Sequence, residues 1–128
     1  MVSSRRVPEP YSFPELTFKI WDYRVSLAQM VIRSPGEDWD GPHLDLHFSG
    51  VEYIRTPTLI RGLRVVAATE GERDEAMVSV GADRFDPSHV WILESGSSRH
   101  LIVASGLEVA ETDYPMMSTA LIRPNIDQ

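Results

Sequence analysis

His43-Leu44-Asp45-Leu46-His47-Phe48-Ser49, followed by Gly50 and then Val51-Glu52-Tyr53-Ile54-Arg55, is the stretch that decides how this chain folds. Side chains of a strand alternate between its two faces. Leu44, Leu46 and Phe48 therefore share one face, and His43, Asp45, His47 and Ser49 share the other. The first face asks for a core. Gly50 interrupts the alternation, which marks a β-bulge or a sharp bend before Val51 resumes it.

The same period of two extends outward. From Glu15, Leu16, Phe18 and Ile20 alternate with Thr17, Lys19 and Trp21. Asp22-Tyr23 marks a turn or a bulge. Arg24 to Arg33 is apolar on both faces, as in a sandwiched strand, with a short helix over Leu27 to Ile32 as the alternative. Downstream, Leu63 to Ala68 predicts a strand, Glu70 to Glu75 a charged turn and Met77 to Val80 a short strand. Val90 to Glu94 and His100 to Ala104 flank a Gly-bearing connection and predict a hairpin. Leu107 to Glu111 follows the Ser105-Gly106 turn and is expected to pair back as a further strand. Short strands every 8–12 residues or so, with no long helical period, predict a mainly β fold. The expected architecture is a single-domain antiparallel β-sandwich or incomplete barrel of about seven to nine strands. Residues 1–14, with Pro8, Pro10 and Pro14, read as an extended N-terminal segment, 15–113 as the β-domain and 114–128 as a C-terminal tail.

Composition narrows the function classes. A chain of 128 residues buries roughly two thirds of its unfolded surface and needs no staple to hold a core. There is no cysteine, which excludes disulfides, thiolate metal sites and cysteine nucleophiles. The net charge is −7, with Lys19 the single lysine beside eleven arginines. An acidic chain without a basic block argues against nucleic acid and against anionic membrane surfaces. Ser4-Arg5-Arg6 is followed by Val7-Pro8-Glu9-Pro10 rather than the apolar run of an export signal, so a cytoplasmic protein is expected. No Gly-x-Gly-x-x-Gly, phosphate-binding loop or Gly-x-Ser-x-Gly elbow is present.

Four groups of residues are candidates for chemistry or binding. His43, Asp45 and His47 place two imidazoles and a carboxylate in one row, donors that suit zinc, iron, manganese or nickel. Successive members stand about 6.8 Å apart along the strand. Ligands of one metal lie roughly 3 Å apart. The row could supply two ligands, completed by His89 or His100; an ordinary solvated strand face reads the same way. Glu37 to Gly41 resembles a calcium loop, but Gly36 and His47 fall where its first and last acidic ligands belong. Trp39 between Asp38 and Asp40 is a candidate partner contact, since Trp is enriched at binding hot spots. Arg55, Arg61 and Arg64 suggest either an anion patch or the charged protection of an edge strand.

The runs Ile32-Arg33-Ser34-Pro35 and Leu44 to Tyr53, with Pro57, Gly62-Leu63 and the later Val90 to Val103 hairpin, resemble a pattern in small uncharacterised bacterial β-rich proteins. The resemblance implies a β-sheet domain, and some small acidic β proteins of that kind act as immunity partners of toxins. It carries no functional residue. Together these features predict a non-enzymatic binding protein that neutralises a basic protein partner, with no cofactor and with a homodimer compatible. A metal-dependent enzyme or metal-binding module on His43, Asp45 and His47 is the alternative.

Overall fold

Alternation becomes sheet along most of the chain. The computed structural model describes residues 3–37, 42–115 and 117–121. The elements are β1 (Ser4–Arg6), β2 (Ser12–Arg24), β3 (Gln29–Ser34), β4 (His43–Ser49), β5 (Tyr53–Arg55) and β6 (Leu59–Val66), then α1 (Glu70–Val80), β7 (Val90–Ser95), β8 (Ser98–Val103) and β9 (Gly106–Thr112). All nine strands pair antiparallel in one sheet, in the order β1-β9-β4-β3-β2-β6-β7-β8-β5. The mainly β, antiparallel fold is as expected, and among the described residues α1 is the single α-helix.

The sheet curls around its core. Phe48 of β4 and Trp91 of β7 meet edge to face with ring centroids 6.5 Å apart. Three strands separate β4 from β7, a span of about 19 Å in a flat sheet. The curl is sealed by a bent ribbon. β4 pairs with β9 up to Ser49 opposite Gly106, and after the bend β5 pairs with β8 from Tyr53 opposite Val103. Ser105 N–H donates to the Ser49 carbonyl (2.9 Å) and Glu52 N–H to that of Val103 (2.8 Å), so the ribbon stays paired through the corner. Gly50 makes the bend at φ +64, where a Cβ would stand 2.2 Å from Ser105 Oγ. The inner face buries Phe18, Met30, Ile32, Leu46, Phe48, Leu63, Leu93 and Ile102, with Leu44 packed half-buried against them.

The outer face is covered in two places. Across β7 and β8, alternate residues Ile92, Leu101 and Val103 form a second cluster under Ala76 of α1. The helix replaces the charged turn and short strand expected at 70–80. Thr69 caps it by accepting from Glu72 N–H (3.1 Å), and the Glu72 carboxylate accepts from Thr69 N–H (2.8 Å). This reciprocal box starts the helix. Only Ala76 of α1 is buried, so no apolar period announces it. Arg99 of β8 anchors the helix by pairing with Glu72 (2.8 Å) and Glu94 (2.9 Å).

Other boundaries also move. Residues 4–6, expected to be merely extended, form an edge strand on β9, and Thr119 and Leu121 of the tail are buried. The irregularity at Asp22 is a bulge within β2, and the turn follows at Val25–Leu27 with Ala28 at φ 52. The hairpin β7–β8 forms as expected around Gly96, at φ +59. β9 does not fold back on β8 but pairs with β4 and β1.

Gly62 lies opposite the irregularity in the β2·β6 register between Phe13 and Thr17. Its φ is +75, and a Cβ there would stand 2.5 Å from the backbone oxygen of Pro14. Gly62→Ala is expected to cost about 2–3 kcal/mol in urea unfolding. Gly50→Ala should cost less, because the Ser105 hydroxyl it meets can swing aside. The Glu72 carboxyl is held down at about 2, chiefly by its hydrogen bond from Arg99. A depressed folded-state value stabilises above the unfolded value and is lost on acidification. Stability should therefore fall as pH drops from about 4.5 towards 2. Glu72→Gln should flatten that slope and lower Tm at pH 7 by about 3–5 °C.

Candidate functional site

Strand β4 places His43, Asp45 and His47 on the outer face, opposite Leu46 and Phe48. That face is not solvated. His43 and Asp45 are buried and His47 is half-buried, because Tyr114, Ser118 and Ala120 lie over β3, β4 and β9. Asp45 stands opposite Arg33 in the β3·β4 register. Arg33 is fully buried and pairs with it two-pronged, Nε to Oδ1 at 2.7 Å and Nη2 to Oδ2 at 2.9 Å. Thr112 donates its hydroxyl to Asp45 Oδ2 (3.1 Å), and Arg33 Nη1 donates to the Ser118 carbonyl (2.9 Å). The guanidinium also lies 5.8 Å from the centre of the Trp21 ring. A buried ion pair needs such extra bonds to offset desolvation.

The histidines are engaged as well. His43 Nδ1 accepts from Gly36 N–H (3.0 Å), so its proton sits on Nε2, which donates to the Tyr114 carbonyl (3.0 Å). His47 Nε2 donates to Gln29 Oε1 (2.9 Å). Burial lowers the His47 pKa, against the opposing pull of Glu108 and Asp45. The row is thus turned into structure: each member binds a protein group, and a metal would have to displace these bonds. Among the described residues no group of three His, Cys, Asp or Glu side chains is placed to hold an ion. His89 pairs with Asp86 (3.4 Å), and His100 lies on β8, where burial lowers its pKa.

Of the arginine group, Arg61 and Arg64 line one shallow pocket of about 290 Å³ together with Glu94, and Arg55 lies apart on β5. Arg55 pairs with Glu75 and Arg64 with Glu94. Arg61 and Arg64 lie on β6, an interior strand between β2 and β7, so edge protection does not apply to them. Asp38, Trp39 and Asp40 lie outside the described residues.

A larger and more apolar cleft lies elsewhere, and sequence alone did not reveal it. β3 pairs with β2 only up to Arg33 opposite Lys19, while β2 continues back to Ser12. Where β3 peels away, a cleft of about 410 Å³ opens, lined by Val7, Pro8, Phe13, Leu16, Pro35 and Leu44, with Arg5, Glu37, His43 and Glu111 among its polar groups. Arg5 is neutralised by Glu111, while Glu37 is exposed and forms no ion pair among the described residues. An apolar cleft with a few polar groups at its rim is the usual form of a binding site. Only the apolar alternation of β2 hinted at it; its position depends on where β3 ends. Compared with known proteins, the chain matches no family model, no curated relative and no solved structure.

Breaking the buried pair tests its structural role. Arg33→Met or Asp45→Asn alone should cost about 3–5 kcal/mol, because each leaves a buried charge unmatched. The double variant Arg33→Met/Asp45→Leu should cost clearly less than the sum, as read from urea midpoints in a double-mutant cycle.

Proposed function

We propose that this protein is a non-enzymatic binding protein that captures and neutralises a basic protein partner, in the manner of an immunity protein. One observation carries this: most of the positive charge is spent internally, Arg61 and Arg73 being the described arginines in no ion pair, while a larger share of the negative charge is not. Eight arginines (Arg5, Arg6, Arg24, Arg33, Arg55, Arg64, Arg84 and Arg99) form ion pairs with carboxylates of the same chain. Glu9, Glu15, Glu37, Glu70, Asp74 and Asp83 are exposed and have no such partner among the described residues. A chain of net charge −7 therefore presents an acidic surface to solvent. Such a field raises the association rate of a positively charged partner and disfavours acidic competitors. No described helix is long and apolar enough to cross a membrane.

Affinity purification on the immobilised protein, with the retained proteins identified and the complex reconstituted from pure components, is the test. The expected partner is basic, with a pI above about 9. It should be held at low salt and weakened at least tenfold on going from about 50 to 500 mM salt. Retention of neutral or acidic proteins only, or a complex indifferent to salt, would overturn the proposal.

A further inference from the structure

We infer that the cleft where β3 leaves β2 is the docking site, and that its occupant is an extended basic segment of the partner which adds to the free edge of β2. This rests on the proposed capture of a basic partner and says where and how it happens. Ile20 N–H donates to the Thr58 carbonyl, on the β6 side. Strand alternation then turns the N–H and C=O of Lys19 and of Thr17 towards the β3 side. Lys19 is paired there with Arg33, but Thr17 is beyond the last β3 residue in register. Among the described residues its backbone groups therefore lie on an unpaired edge, at the mouth of a ready-made cleft. A strand laid along this edge would continue the ladder that β3 leaves off, gaining main-chain hydrogen bonds while alternate side chains fill pockets. Phe13, Leu16 and Leu44 supply the apolar pocket for one anchor residue.

Charge selects the occupant. Glu37 lines the cleft, and Glu9 and Glu15 are the sequence neighbours of lining residues Pro8 and Leu16. All three are exposed and without an ion-pair partner among the described residues. An Arg- or Lys-flanked segment complements them, and an acidic one is repelled. Pro8 and Pro14 withhold N–H donors beside the cleft, so the edge takes a short segment and does not template open-ended strand addition.

The test uses the full chain and synthetic ten-residue peptides with a central Leu or Phe flanked by alternating Arg and Thr. Binding is read by NMR titration and the site by hydrogen exchange. The expected result is a Kd of about 10–100 µM, with new protection at Thr17. Affinity should fall at least tenfold when the peptide backbone is N-methylated, when Arg is exchanged for Glu, or when the protein carries Leu16→Arg. Leu16 is 39 % exposed, so this change is compatible with folding, and an unchanged Tm confirms that. Binding with protection elsewhere, or unaffected by N-methylation, would overturn the docking mode while leaving capture of a basic partner intact. If no peptide binds, this inference fails, and the wider proposal stands or falls on the purified complex alone.

Discussion

The architecture turns on one buried contact, the two-pronged pair between Arg33 and Asp45. It joins β3 to β4 by side chains as well as by the ladder. Through Thr112 it reaches β9, and through the Ser118 carbonyl it fixes the segment that covers them. The cost of removing two charges from water is offset only because each polar atom finds a partner. Among the described residues no buried side-chain nitrogen or oxygen is left without one. Beside it, His43 and Thr119 make further bonds of the same kind, to Tyr114 and to Asp22. The network converts what would be a wet sheet face into a second interior.

This explains why the two outer-face covers differ. Over β7 and β8 the cover is a helix, and the contact is apolar, through Ala76, Ile92, Leu101 and Val103. Over β3, β4 and β9 the cover is irregular chain, and its described anchors are hydrogen bonds to backbone carbonyls and hydroxyls. An irregular segment has no ladder of its own, so buried backbone groups must be met by side chains. Arg33 and His43 meet them here. Polar residues on the outer face of β3 and β4 are therefore what this kind of cover demands.

The limits of sequence follow from the range over which each signal acts. Leu46 and Phe48 were legible as core because alternation is local. Gly50 was legible as a bend, and Gly96 as a hairpin turn. The same alternation sorted His43, Asp45 and His47 onto one face but carried no information about what would lie over that face. The helix was half legible: Thr69 and Glu72 stand at capping-box spacing, yet one buried alanine makes no periodic stripe. The pairing of β9 with β4, across some sixty residues, left no local mark. The cleft was illegible for a related reason, since it exists only where two strands of unequal length part.

The edge strand β1 has a consequence for the making of the molecule. Ser4 sits opposite Thr112, and Ser3 and Asp113 are hydrogen-bonded beyond them. The first described residues to leave the ribosome thus wait for a partner more than a hundred residues downstream, Ser4 for Thr112. The bent ribbon imposes the same delay, because β4 cannot seal against β9 until residues 106–112 have emerged. Helix α1 and the β7–β8 hairpin can form early, but the curled sheet closes only after residues 106–112 have emerged. Until then its apolar strands stand open, so the nascent chain depends on slow, non-local closure and on whatever shields it meanwhile.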